Sequence, residues 1–283
     1  MLLESLRESA RFLWRQSHAG AIYFKHRHPS LPSLSASDRA LVDKVSAQGF
    51  VVIPGFWSAS RCERARAELD AFLRESPREA WRGPAGADQR VFACERVSAT
   101  FADFHHDPWL HSLAEAFMRC EAKTLFTLAN RLQAVPGNLG SGQGWHRDSF
   151  GRQFKAILYL SEVGSDSGPF QYLAGSGRTL PMLGDLWRAS VEARQRRLCA
   201  AEVAHMLGPD RERLRTLVGA PGTLILAHTR GVHRGSPIRA GTRHALTNYY
   251  IAEPDLSAEA VDHFNQNPIA GGRPLSLAEI RAG

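Results

Sequence analysis

The most restrictive feature of the sequence is a pair of possible metal ligands, His146 and Asp148, separated by a single residue. Alternate residues of an extended strand point to the same face, so this spacing directs an imidazole nitrogen and a carboxylate oxygen toward one point. A third ligand must come from a distant part of the chain, and His233 in the segment 233–237 is our candidate. The chain therefore has to fold so that two separate segments meet on one face.

Two histidines and one carboxylate on one face of an octahedron leave the opposite positions open, which is the arrangement of non-haem iron(II) oxygenases. A His-x-Asp pair alone is weak support, because the chain contains twelve histidines. Arg243 strengthens the interpretation, since it follows His233 closely and directly precedes the apolar run 245–251. At that place it would supply the cation that a dicarboxylate co-substrate requires.

Longer stretches around these residues resemble the phytanoyl-CoA dioxygenase family of Fe(II)/2-oxoglutarate-dependent oxygenases. The similarity is carried by residues 49–56, 142–148, 156–163, 168–176, 221–228 and 233–250. Together these stretches extend over about residues 45 to 252, and their combination is far more specific than any one of them.

The resemblance implies an activity and a set of catalytic residues. His146, Asp148 and His233 would bind Fe(II), and 2-oxoglutarate and O2 would be consumed while succinate and CO2 are released. The product would be a hydroxylated C–H bond of a small substrate. A related group of halogenases has Ala or Gly in place of the carboxylate, so the presence of Asp148 favours hydroxylation.

Four further residues are candidates for binding the co-substrate. The fixed guanidinium fork of Arg243 suits the distal carboxylate of 2-oxoglutarate, and Arg239 is its weaker competitor because it lies in a turn-like segment. Ser236 could add a hydroxyl contact, although the family commonly has serine one position earlier. Gln133 and Lys155 would contribute if their strands have the expected register, since a shift of one residue would turn either outward.

The residues that flank the metal pair are candidates for substrate contact, namely Gln143, Trp145 and Arg147. Trp187 and Arg188 could close over the substrate from an inserted helix. The resemblance leaves the substrate open, because related enzymes act on acyl-CoA thioesters, amino acids, phosphonates and natural-product intermediates.

The chain has a formal net charge of +7 and a pI of about 9.6, which is compatible with nucleic acid, an anionic membrane or an anionic small molecule. Its basic residues are scattered or mixed with acidic ones, and no basic tract is interleaved with aromatic residues. We therefore expect a small anionic substrate, with no nucleic-acid or membrane partner. We expect a monomer or a homodimer.

The order of the predicted elements indicates a mainly β protein with flanking helices and a double-stranded β-helix core of the jelly-roll, cupin-like type. We expect one domain over residues 1–283, with an N-terminal helical extension at 1–44 and an inserted helix or lid at 184–207. Strands are predicted at 124–135, 145–149, 154–161, 168–173, 222–228 and 244–251.

Local signals place the helices. A capping box at residues 60–63 predicts a helix that begins at Ser60 and runs to about Leu73. Asp107 is expected to cap a helix from Pro108 to Arg119, because proline is tolerated at the first helical position. Residues 276–279 indicate a last short helix.

Cysteine usage and hydropathy bear on location. Cys62, Cys94, Cys120 and Cys199 have no paired spacing, which predicts free thiols in a reducing compartment such as the cytoplasm. No apolar stretch approaches the roughly 18 residues of a membrane span.

Competing interpretations remain at this point. A cupin-like hydrolase or isomerase could use the same ligands, and a non-catalytic barrel could keep a metal site. His105 and His106 precede a helix cap, His228 ends an apolar strand as core histidines do, and His244 should face away from Arg243.

Overall fold

The computed structural model describes residues 9–14, 16, 17, 20, 21, 25, 33–192 and 194–282. Within them the strands are β1 Phe50–Ile53, β2 Trp81–Arg82, β3 Asp88–Phe92, β4 Ala122–Gln133, β5 Phe154–Tyr159, β6 Phe170–Leu173, β7 Leu214–Leu217, β8 Leu224–Ala227, β9 His233–Gly235 and β10 Thr242–Ala252. They form a seven-stranded sheet in the order β1-β8-β5-β10-β4-β3-β2 and a three-stranded sheet in the order β7-β6-β9. Neighbouring strands in both sheets are antiparallel.

Helices flank the sheets. They are α1 Ala36–Gln48, α2 Ala59–Glu75, α3 Ala99–His105, α4 Pro108–Met118, α5 Thr179–Ala189, α6 Ala200–Leu207, α7 Ala258–Asn265 and α8 Leu277–Ala282. The predicted mainly β architecture with flanking helices is therefore confirmed. Residues 1–8 of the predicted N-terminal extension lie outside the described residues.

The central strand β10 separates two environments by its alternation. Leu246 belongs to a large apolar core that includes Leu69 of α2 and Leu113 of α4. Arg243 and Tyr249, on the opposite face of β10, line an internal cavity. The larger sheet thus packs one face against helices and turns the other toward the cavity.

The two sheets pack against each other beside this cavity. Their shared core contains Ile157 and Ile225 from the larger sheet and Phe170, Tyr172 and Leu217 from the smaller one. This apolar seam brings β9, which carries His233, close to the larger sheet. Burial of these side chains therefore places one predicted ligand at the edge of the cavity.

Several local predictions are confirmed. Asp107 caps α4, with its Oδ1 accepting a hydrogen bond from the Leu110 amide at 3.0 Å. A short C-terminal helix follows Ser276. All four cysteines are free.

Other boundaries differ from the prediction. The side chain that caps α2 is Ser58 rather than Ser60, since Ser58 Oγ accepts from the Arg61 amide. The predicted strand 145–149 is reduced to isolated bridges at His146. The single inserted helix predicted for 184–207 is wrong: Ser190 takes a left-handed conformation that ends α5, and α6 begins only after Cys199.

Helices of the described residues are too short or too polar to cross a bilayer.

Candidate metal centre

Three predicted ligands converge at one point. His146, Asp148 and His233 each offer a ligand atom, and these atoms lie within 4.8 Å of one another. His146 Nε2 is 3.6 Å from Asp148 Oδ1, and His233 Nε2 is 3.7 Å from Asp148 Oδ2. Such separations between neighbouring ligand atoms suit one metal ion bound by two imidazoles and a carboxylate.

Main-chain hydrogen bonds fix this convergence. The amide of His146 donates to the carbonyl of His233 at 2.9 Å, and the amide of His233 donates back to His146 at 2.9 Å. The amide of Asp148 donates to the carbonyl of Thr229 at 3.0 Å. The segment 146–148 is therefore held in extended form along the chain that leads into β9, although it is not a regular strand.

The histidine rings are oriented by carbonyl groups. Nδ1 of His146 bonds the carbonyl of Gly144 at 2.9 Å, and Nδ1 of His233 bonds the carbonyl of Gly231 at 2.9 Å. A carbonyl can only accept, so Nδ1 carries the proton in both rings and Nε2 presents its lone pair to the shared point. Burial lowers the pKa of His146 and lowers that of His233 to about 3, so both rings are neutral, as metal ligands must be.

A glycine at position 142 gives His146 room. Gly142 has φ +86°, a conformation that side chains rarely adopt, and a methyl group placed there would overlap the His146 ring. The loop before the metal pair therefore packs directly against one ligand.

Lys155 lies beside the carboxylate ligand. Its Nζ is 2.8 Å from Asp148 Oδ2 and 3.9 Å from the centre of the Tyr249 ring. Burial alone would raise the pKa of Asp148, but the adjacent Lys155 ammonium holds it well below its ordinary value. The carboxylate is therefore ionised and compensated by Lys155.

The ligands open into a cavity of about 790 Å³. Arg243 lines it and is 5% exposed. Its Nη1 donates to the carbonyl of Gly168, its Nη2 donates to Asn130 Oδ1 at 3.0 Å, and its Nε has no partner among the described residues. A buried guanidinium with an unpartnered donor and no ion pair to a carboxylate of the described residues has the chemistry to bind an anion.

Two residues predicted to bind the co-substrate do not line the cavity. Gln133 lies at the end of β4 on the face opposite Asn130, which does line it. Ser236 is buried, but Gly235 occupies the position that alternates with His233 and borders the cavity. Their co-substrate contacts stay predictions, and the strand register turns the Gln133 side chain away from the face that carries Asn130.

Two residues predicted to contact substrate also point elsewhere. Trp145 is 6% exposed and packs in an apolar cluster with Leu198 and Val232, with the Arg234 guanidinium 4.3 Å from its ring centre. Gln143 has φ +59° and does not line the cavity. In an extended segment, the neighbours of His146 and Asp148 point to the opposite face. The Trp145 side chain therefore faces away from the two ligands and lies outside the site.

Arg147, the third residue predicted to contact substrate, borders the cavity, but its guanidinium bonds main-chain carbonyls. Its Nη1 donates to the carbonyls of Ser176 and Arg230 at 2.7 and 2.8 Å. Burial lowers its pKa to about 10. Trp187 and Arg188 of α5 do not line the cavity.

Three other histidines considered in the sequence, His105, His228 and His244, contact residues outside the metal cluster. His105 Nδ1 is 3.0 Å from Thr127 Oγ1, and His244 Nε2 is 3.1 Å from Asp70 Oδ1. His228 is buried with its ring 4.9 Å from that of Phe117. As expected, these histidines are separate from the metal cluster.

Sequence reasoning missed Asn130, Arg90, Arg196 and Arg197, all of which line the cavity. Asn130 and Arg90 are cross-strand partners on β4 and β3, and no spacing in the sequence links them to the metal pair. Arg197 forms an antiparallel bridge with His146, a contact that depends on the break between α5 and α6.

Comparisons with known proteins agree with this fold. In one solved structure, the epimerase SnoN in complex with Fe3+, alpha ketoglutarate and nogalamycin RO, the TM-score is 0.59 at 18% identity, covering 85% of this chain and 96% of SnoN. For HygX from Streptomyces hygroscopicus with nickel, 2-oxoglutarate and hygromycin B bound, the TM-score is 0.53 at 16% sequence identity, and the match covers 87% of this chain and 100% of HygX. For EctD from S. alaskensis with 2-oxoglutarate and 5-hydroxyectoine, the TM-score is 0.59 at 16% sequence identity, and the match covers 80% of each chain. Comparison with curated protein sequences gave no match.

Fold and site together define a protein with a two-histidine, one-carboxylate metal centre between antiparallel sheets. A model of the phytanoyl-CoA dioxygenase (PhyH) family matches residues 45–245. The chain belongs to that family.

Proposed function

We propose that this protein is an Fe(II)- and 2-oxoglutarate-dependent dioxygenase that hydroxylates an unactivated C–H bond of a small anionic substrate and releases succinate and CO2. The observation that carries the proposal is the convergence of His146, Asp148 and His233 in a cavity that also contains the buried, carboxylate-free Arg243. The family match and the similarity to structures that hold 2-oxoglutarate support it.

The protein's own residues would hold the metal in a defined way. Nε2 of His146, Nε2 of His233 and one oxygen of Asp148 would hold the ion. When bound, Fe(II) supplies the activation of O2 that is coupled to decarboxylation of 2-oxoglutarate. The retained carboxylate of Asp148 favours hydroxylation over halogenation.

Arg243 would bind the distal carboxylate of 2-oxoglutarate. Its contacts with Gly168 and Asn130 fix the guanidinium plane before the ligand arrives, so little side-chain freedom is lost on binding. Lys155 would neutralise Asp148 and add positive charge beside the co-substrate.

The charge of the cavity supports an anionic substrate. Among the residues that the structure describes, six Lys or Arg residues line it, against one carboxylate, that of Asp148. These cations are Arg90, Arg147, Lys155, Arg196, Arg197 and Arg243. Asp88 compensates Arg90, Asp148 compensates Lys155, and the charges of Fe(II) and 2-oxoglutarate cancel, so the remaining positive charge is available to the substrate.

We assign the two packed sheets to a double-stranded β-helix of the jelly-roll, cupin-like type, within one domain. The segment from α5 to α6 would cover the metal-binding loop, since the Arg147 amide bonds the carbonyl of Arg196 at 2.9 Å and the Leu198 amide bonds the carbonyl of Trp145 at 3.0 Å. Four free thiols are consistent with a reducing cytoplasm.

The test is anaerobic addition of Fe(II) and 2-oxoglutarate, followed by a substrate screen for succinate release in air. A weak visible charge-transfer band is expected from the wild type and no band from His146→Ala or Asp148→Ala. A cupin-like hydrolase or isomerase would give turnover without succinate, and a non-catalytic barrel would give neither. Succinate release with an epimerised or cyclised product would retain the cofactor assignment and reject hydroxylation.

A further inference from the structure

Two guanidinium groups contact the loop that precedes the metal pair. Arg90 Nη2 donates to Ser141 Oγ at 3.3 Å, and Arg197 Nη1 donates to the carbonyls of Gly142 and Gln143. Arg90 comes from β3, whereas Arg197 comes from the segment between α5 and α6. Because Gly142 also packs on His146, this loop brings both cations next to a metal ligand.

Both groups keep donors that the protein does not use. Arg90 directs Nε and Nη2 at Asp88 at 3.0 and 2.7 Å, which leaves Nη1. Arg197 has only its Nη1 bonded and contacts no carboxylate among the described residues. A planar guanidinium that is fixed at one end and open at the other is suited to binding a carboxylate or phosphate.

An aromatic surface adjoins these cations. Trp81, Tyr249 and Phe264 are half-buried and line the cavity. The Tyr249 and Phe264 ring centres are 5.9 Å apart, and the Arg90 guanidinium lies 5.0 Å from the Trp81 ring centre. Half-exposed rings inside a cavity offer apolar area to a ligand at little conformational cost.

Lys155 links the aromatic surface to the metal centre. Its ammonium contacts both Asp148 and the Tyr249 ring. The Lys155 ammonium covers the Tyr249 ring, and Phe126 stacks on it with ring centres 4.6 Å apart. A flat molecule would therefore lie against the edge of Tyr249, with one end near the metal ligands, while Arg90 and Arg197 border the same cavity.

Resting on the proposed function, we propose that the substrate is an organic anion with a flat apolar ring. Arg197 and Arg90 bind its carboxylate or phosphate, and Trp81, Tyr249 and Phe264 contact its ring. The volume of about 790 Å³ accommodates such a molecule together with the smaller 2-oxoglutarate.

The test uses the full chain loaded with Ni(II) and 2-oxoglutarate, so that binding is measured by calorimetry without turnover. The probes are 2-naphthoate, 2-naphthyl phosphate, the methyl ester of 2-naphthoate, acetate and inorganic phosphate. At least one naphthyl anion should bind about tenfold more tightly than the ester, as expected for a charge-assisted contact. It should also bind more tightly than acetate or phosphate, and its affinity should fall as salt is added. Preference between the two naphthyl anions identifies the anionic group.

Variants distinguish loss of the anion contact from a general disturbance of the fold. Arg197→Gln should weaken the preferred naphthyl anion about tenfold and leave the ester unchanged, and Arg197→Lys should retain part of the affinity. The matched control is Arg194→Gln, at an exposed arginine of the same segment that does not line the cavity; it should behave as wild type.

Clear results would overturn the inference. In the wild type, these would be equal affinity for acid and ester, or no binding of either naphthyl anion. In the variants, they would be equal losses of affinity for acid and ester in Arg197→Gln, or a loss in Arg194→Gln as large as that in Arg197→Gln. The charge-transfer band tests the proposed function separately. A band without any preference for naphthyl anions rejects only this inference, whereas anion binding without a band rejects the dioxygenase function and retains the anion site.

Discussion

Lys155 Nζ lies 2.8 Å from Asp148 Oδ2, so a buried ammonium compensates the carboxylate ligand in the metal centre. The side chain of Lys155 is 8% exposed and that of Asp148 20% exposed. Both charges are therefore poorly hydrated, and removal of either leaves the other without compensation.

We expect Lys155→Met to destabilise the metal-free protein by about 3 kcal/mol, at the lower end for a buried pair because Asp148 keeps some contact with water. Ni(II) should then raise the melting temperature more in the variant than in the wild type, because the ion becomes the main compensating charge. Thermal unfolding with and without Ni(II) measures both effects. An unchanged stability of the metal-free variant would contradict the role of the pair.

Arg243→Ala should leave metal binding intact and weaken 2-oxoglutarate binding by about 2 to 5 kcal/mol, the usual loss when one partner of a buried charge pair is removed. Calorimetric titration of the Ni(II)-loaded protein measures it. Arg239→Ala is the matched control, since that side chain is 81% exposed and paired with Asp166. Wild-type affinity in Arg243→Ala would refute the assignment.

Gly142→Ala should weaken Ni(II) binding, because the added methyl group would displace the His146 ring. Gly144→Ala provides the control: Gly144 has a similar φ of +89°, but no atom lies within 4 Å of the added methyl group. Both variants share the backbone strain, and only the first disturbs the ligand. Equal losses in the two titrations would mean that strain alone matters.

Glu95 should make stability depend on pH near neutrality. Burial raises its pKa to about 7, and its side chain is 12% exposed. Because the folded-state pKa is above the unfolded value, the folded form holds the proton more tightly, and stability is lost as pH rises from about 4.5 through 7.

Glu95→Gln removes that titration, and the amide oxygen can still accept from the Thr127 amide, as Glu95 Oε2 does at 3.0 Å. Relative to the variant, the wild type should lose roughly 3 kcal/mol between pH 4.5 and 8, from 1.36 kcal/mol per pKa unit. Urea unfolding of both proteins across this range measures the difference. Parallel profiles would show that Glu95 does not titrate as inferred.

The metal ligands could be predicted because their spacing is a local consequence of strand geometry. His146 and Asp148 face the same way by alternation. The same rule turns Trp145, predicted as a substrate contact, away from them and into an apolar cluster. No local pattern connects His233 and Arg243 to the pair, and the family resemblance supported their selection.

Strand register and the interruption of a predicted helix limited the remaining predictions of cavity residues. Ser236 is one residue away from the cavity-lining Gly235, and Gln133 lies on the strand face opposite Asn130, because the sequence does not show the register of a strand. Arg197 escaped notice because residues 184–207 read as one helix, whereas Ser190 interrupts it and lets the following segment pair with His146. Both errors concern long-range pairing, which composition and periodicity do not encode.

The reciprocal amide-to-carbonyl pairing of His146 with His233 has a consequence for evolvability. The separation of these two ligands is set by peptide groups, which every amino acid supplies, and not by the identity of surrounding side chains. Cavity walls such as Trp81 and Phe264 can therefore be exchanged while the geometry of the metal-binding cluster is kept. Redesign of specificity should begin at those walls.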